Sequence, residues 1–130
     1  MKHSSRFARF VVLFLLTTVV AATAATAGTG PQEVTVVGQN ICLGCTLKST
    51  AGAGAQCSIY GHRHVLKVES AKGSDGKPIA DLAGLSLHYL ENEGSASLFK
   101  GEETHGKKVE IKGKLYRAES TIEVTEFQVQ

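Results

Sequence analysis

The chain has 130 residues, 42% hydrophobic and 20% charged, with 14 glycines, 2 prolines and no tryptophan. This is the composition of one small globular domain, and it excludes multidomain and collagen-like organisation. The formal charge is +2, but with Lys2, Arg6 and Arg9 assigned to an export segment the 14 basic residues fall to 11 against 12 acidic ones; a near-neutral domain lacks the footprint of phosphate-backbone binding, so nucleic acid is not an expected partner.

Residues 1–9 carry three positive charges and no acid, residues 10–22 are almost wholly apolar, and Ala25-Thr26-Ala27 precedes Gly28. These are the three parts of a secretory signal peptide. The apolar run is short of the ~20 residues that cross a bilayer core, so no stable membrane span is expected in the mature chain. No cysteine directly follows the run, and Arg6 and Arg9 are not adjacent, so neither lipid attachment nor a twin-arginine signal is indicated. The expectation is a signal peptide over 1–27, a single domain over 28–130, and export to the periplasm or outside. A chain of about 100 residues buries a modest core and gains from a disulfide or a metal.

In the mature part, Val34 and Val36 alternate with Glu33 and Thr35 and lead to Gly38, which predicts a first strand ending in a bulge or bend. Residues 40–56 read as a loop. Ile59, His62, His64, Leu66 and Val68 fall at every second place from His62 onward, predicting a second strand with one buried face that is broken by Gly73-Ser74-Asp75-Gly76 and Pro78. Leu85, Leu87 and Tyr89 give a third strand stopping near Asn92, and Asn92 and Ser95 are caps for a short helix carrying Ala96, Leu98 and Phe99, which Gly94 weakens. Val109, Ile111 and Leu115 form a fourth strand. Ile122 and Val124 start a fifth, which continues with Phe127 and Val129 after a phase change that predicts a bulge near Glu126.

Five strands, a helix between the third and fourth, and a closing hairpin resemble the OB-fold, a small five-stranded Greek-key barrel, over about residues 33–130. The resemblance implies a mainly β domain with one short helix, and a class that often binds oligonucleotides or oligosaccharides. This chain lacks the stacking aromatics for such a role, so function is argued from the site.

The informative stretch is Cys42-Leu43-Gly44-Cys45, then Cys57, then His62-Arg63-His64. Every cysteine and half of the four mature histidines lie there, a clustering of soft ligands that marks a metal site. Gly44 lets a C-x2-C turn curl so that both thiolates face one ion, and the glycine- and alanine-rich residues 51–55 bring Cys57 back. His62 or His64 then completes a Cys3His tetrahedron, with Gly61 required to supply a bulge that turns Cys57 to the same side. Thiolate and imidazole suit zinc or copper(I). Three cysteines count against an iron–sulfur cluster, and Thr46 after Cys45 removes the haem-attachment signature.

Two other readings stand beside this one. In an oxidising compartment Cys57 pairs with Cys42 or Cys45, leaving one odd thiol, and the domain is a disulfide-stapled module that binds a ligand or protein partner, for instance through Tyr60 or Tyr89. Redox work by Cys42 and Cys45 is the third, but a redox C-x-x-C opens a helix after a βαβ strand, and no such pattern is read here. His88 and His105 read as exposed polar residues, and Lys107, Lys108, Lys112 and Lys114 as a solvent face. No nucleophile elbow, phosphate loop or paired-carboxylate motif is present, so no enzyme is expected.

Overall fold

A computed structural model describes residues 30–130. The expected signal segment lies outside the described residues. Five strands form one sheet that closes on itself as a ring in the order β1-β2-β3-β5-β4, with β4 returning to pair with β1.

Strand β1 (Gln32–Cys42) forms the wall of this ring between β2 (His64–Gly73) and β4 (Lys108–Tyr116), antiparallel to both. Serving two neighbours along eleven residues requires a bend, and the register with β2 shifts between Val37 and Gly38. A methyl group on Gly38 would collide with the Lys67 carbonyl, so the close approach of the two backbones requires glycine. The expected bulge is therefore present, but the strand does not end there. It continues to Cys42, because the inward positions after Gly38 are Asn40 and Cys42, both fully buried. A glycine and an asparagine in place of two aliphatic residues hid the alternation.

The second strand starts later than expected. Residues Cys57–Tyr60 form a helical turn, with Ile59 68% and Tyr60 83% exposed, and β2 begins at His64. Residues 40–56 are likewise not a loop: after β1 a nine-residue helix, α1 (Leu43–Ala51), precedes the turn α2 (Cys57–Tyr60). The domain thus has helical structure in the cysteine segment beyond the one helix expected between the third and fourth strands.

Strand β3 (Ser86–Tyr89) is short and pairs antiparallel with β2 and parallel with β5 (Thr121–Val129), which closes the ring. Between β3 and β4 the Asn92 side chain accepts from the Ser95 N–H at 2.9 Å while the Ser95 hydroxyl accepts from the Asn92 N–H at 3.1 Å. This capping box starts a 3-10 turn, Glu93–Ser95, that continues as α3 (Ala96–Lys100). Gly94 is needed there, since a Cβ would strike the Val124 carbonyl. Leu98 of α3 is fully buried and plugs one end of the ring over a core that includes Val36, Leu66, Leu87, Ile111 and Ile122.

The phase change in β5 is a bulge. Lys112 faces Glu126 but Gly113 faces Val124, which leaves Thr125 as the extra residue with its hydroxyl donating to the Lys112 carbonyl at 2.9 Å. The lysines of β4 lie on the outside, where Lys108 pairs with Glu69 at 2.6 Å and Lys112 with Glu126. Such exposed pairs contribute at most about 1 kcal/mol. Among the described residues no helix is long and apolar enough to cross a membrane.

Candidate metal centre

The cysteines are gathered where β1 ends. Cys42 takes the last inward position of the strand and is 1% exposed. It is also the N-cap of α1, accepting at its sulfur from the Cys45 N–H at 3.5 Å. A helix start leaves N–H groups unpaired, and a thiolate there satisfies one as an aspartate or serine does elsewhere. The C-x2-C spacing thus runs from the N-cap to the third helical residue, and puts both sulfurs at the same end of the helix.

Helix α1 ends at Gly52, whose φ of 68° gives a left-handed cap, with the N–H of the cap bonded to the Leu47 carbonyl. The chain returns through residues 53–56 to α2, which Gly61 closes at φ 87°. This turn, rather than a bulge in a strand, faces Cys57 toward Cys42, their sulfurs 3.7 Å apart. His62 follows outside β2 and brings Nδ1 to 3.3 Å from the Cys42 sulfur and 3.5 Å from the Cys45 sulfur. Gly44 is not needed for a curl, because it sits in α1. It is needed for space: a Cβ at this position would be 2.7 Å from the Cys57 sulfur.

The ligand atoms of Cys42, Cys45, Cys57 and His62 all lie within 4.8 Å of one another. A tetrahedral zinc with Zn–S near 2.3 Å and Zn–N near 2.0–2.1 Å has edges of about 3.8 Å between sulfurs and about 3.6 Å between sulfur and nitrogen. Of the six edges, three match that tetrahedron, at 3.7 Å from Cys42 to Cys57 and 3.3–3.5 Å from His62 to Cys42 and Cys45, and the others stay within 4.8 Å. A disulfide needs about 2.0 Å, and all three cysteines are free thiols here.

Proton sharing in the cluster is uneven. Burial alone would raise the Cys42 thiol, but the Cys45 N–H, His62 and the other two thiols all hydrogen-bond to its sulfur and bring its pKa down to about 6. Cys45 is pushed up to about 12, first by the hydrogen bonds it shares with Cys42 and Cys57, and also by burial and by their negative charge. A cation entering the group replaces these shared protons.

His64 is not among the four. The register sets it opposite Cys42 across the β1–β2 pair, yet it is 4% exposed and its Nδ1 lies 3.1 Å from the Leu98 carbonyl. The same carbonyl accepts from the Asn40 side chain at 2.9 Å. Asn40 also donates to the Thr104 hydroxyl at 3.0 Å and accepts from the Tyr89 hydroxyl at 2.9 Å. This buried network fastens the segment carrying α3 to β1, two residues from Cys42. His105 is exposed as expected, but it stacks on His64. Neither Asn40 nor His105 stood out as part of the site: Asn40, two residues before Cys42, reads as the start of a loop, and His105 is far from the cysteines along the chain.

The C-x2-C does open a helix after a strand, contrary to the sequence reading. It is not followed by a parallel crossover, because β2 runs antiparallel to β1. Comparisons with protein families, with curated proteins and with solved structures find no match.

Proposed function

We propose that this chain is an exported, OB-like barrel protein that holds one soft transition-metal ion, zinc or copper(I), through Cys42, Cys45, Cys57 and His62, as a binding or carrier protein rather than an enzyme. The observation that carries the reading is the convergence of four donor atoms within 4.8 Å from β1, α1, α2 and the residues between α2 and β2. Four donors, three of whose separations equal tetrahedral edges, suit zinc, and the thiolates alone would also satisfy copper(I). The OB-like part rests on the ring order, on the parallel β3–β5 pairing and on α3 lying between β3 and β4. Export rests on the charged, apolar and small-residue sequence of 1–27.

In this reading Cys42 belongs to the rigid sheet, while Cys57 lies between two positive-φ glycines, Gly52 and Gly61, and His62 directly follows the second. His62 is exposed and Cys45 and Cys57 are half-buried, so the ion is reachable from solvent on the His62 side, as transfer to a protein partner would require.

The test is elemental analysis of protein purified without chelator, with thiol titration in denaturant. About one equivalent of zinc or copper with three titratable thiols is expected, and Cys45→Ser should lower both metal content and melting temperature. No metal and a single titratable thiol would replace this reading with the disulfide-stapled module.

A further inference from the structure

Beside the thiolate centre three imidazoles come together from different parts of the chain. The His64 and His105 rings stack with centroids 4.8 Å apart and planes 16° from parallel. His62 lies 6.3 Å from His64 and 6.0 Å from His105 by the same measure. A cavity of about 620 Å³ opens alongside, lined by His62, His64, His88 and Glu91 among others.

His64 is the informative member. A carbonyl only accepts, so the 3.1 Å contact with Leu98 fixes the proton on Nδ1. The lone pair of a neutral ring is then on Nε2. That nitrogen is buried and has no hydrogen-bond partner, the one such side-chain atom among the described residues. An imidazole tethered by Nδ1–H to a carbonyl, with Nε2 free, is the way proteins orient a histidine that ligates a metal. His62 gives its Nδ1 to the sulfurs, which leaves its other nitrogen unassigned.

We propose that His64 and His105, joined by Nε2 of His62, form a second, nitrogen-rich site for a borderline divalent ion, zinc or copper(II), next to the thiolate centre. Imidazole donors suit such ions. His64 is the fixed donor, while the exposed His105 turns out of the stack to meet the ion. The site shares His62 with the sulfur group, which His64 and His105 do not join; with both ions bound His62 bridges them after losing its Nε2 proton to solvent, and the His64 and His105 ligands are what distinguish this site from the proposed function on which it partly rests.

The experiment is titration of the reduced protein with zinc at neutral pH, repeated with cobalt(II), whose thiolate-to-metal charge-transfer absorption reports sulfur ligation. The wild type should take two equivalents. His105→Ala, at an exposed position, should take one and keep the charge-transfer band. The double variant Cys45→Ser, Cys57→Ser should also take one, without the band. A single equivalent in the wild type that His105→Ala leaves unchanged would overturn the second site, with a buried water on Nε2 as the explanation. Loss of binding in His105→Ala but not in the cysteine variant would uphold the second site and reject the thiolate centre.

Discussion

Gly44→Ala separates the geometry of the centre from the stability of the fold. The added Cβ would stand 2.7 Å from the Cys57 sulfur and 3.1 Å from the Ala55 Cβ. Ordinary contact is near 3.5–4.0 Å, so the sulfur must retreat by about 1 Å. Rotating Cys57 about its Cα–Cβ bond achieves this without moving backbone, but takes the sulfur off its vertex. Ligand distances in metal sites hold within about 0.2 Å. Changes one shell further out already weaken binding about 10- to 100-fold, so displacing a ligand should weaken zinc binding by about 100-fold or more, close to 2.8 kcal/mol at 1.4 kcal/mol per decade. The metal-free fold should respond in the other direction. Gly44 lies within α1 and is not a positive-φ glycine, so alanine gains up to about 1 kcal/mol of helix propensity, less what the Ala55 contact takes back. Competition against a chromophoric zinc chelator measures the affinity, and thermal melting of the metal-free protein measures the fold. Zinc affinity within about threefold of wild type would refute the argument that Cys57 is a ligand held in place by the empty space at Gly44.

Asn40→Ala should destabilise the domain by about 3 kcal/mol in urea unfolding, since it leaves the buried Tyr89 hydroxyl without its acceptor and removes one of the two donors to the Leu98 carbonyl; a loss under about 1 kcal/mol would mean the network is not a tie. In the metal-free protein the 240 nm absorbance should show one thiolate step near pH 6 that Cys42→Ser removes, because the Cys42 pKa is lowered from 9.0 to about 6. The sign follows: the Cys42 thiolate contributes stability that is complete above pH 9.0 and is lost as pH falls through about 6. Cys45, raised from 9.0 to about 12, does the opposite, contributing below pH 9.0 and losing that contribution as pH climbs toward 12.

The strands were legible where aliphatic residues alternate, as in Val109, Ile111 and Leu115 or in Leu66 and Val68, and the bulge in β5 was legible because a bulge shifts the phase of the pattern. Legibility failed between Gly38 and Gly61. There Asn40 and Cys42 occupy inward positions that a hydrophobic count scores as polar or ambiguous, and α1 has no buried residue to give it a helical stripe. Ile59, three residues before His62 and out of phase with the alternation, is exposed. The four donor residues nevertheless stand out in the sequence, since clustered cysteines and histidines carry their chemistry whatever the local backbone. His64 was chosen with them because strand spacing put it on the face assigned to His62. The chain instead turns at Gly61 and enters β2 only at His64, so the two imidazoles leave the backbone in different settings. His105 carries no local signal at all, being 41 positions from the ring it stacks on.

The Leu98 carbonyl links these parts. It receives Asn40 from β1 and His64 from β2, the two strands whose ends frame the sulfurs. Cys42 and His64 are register partners, so whatever fixes the His64 ring also fixes the strand edge from which Cys42 projects. The segment from Gly52 to His62 has no comparable tie. Its described backbone bonds are largely within itself, apart from the cap to Leu47, and the strand ladder resumes only where the Leu43 N–H meets the Arg63 carbonyl at 2.9 Å. The centre is therefore built from one rigid half, Cys42 and the helix start that carries Cys45, and one half that depends on its sulfur and imidazole for attachment. An ion bridging the halves would fasten the second to the first, which is why metal retention and order in that segment are expected to be the same property.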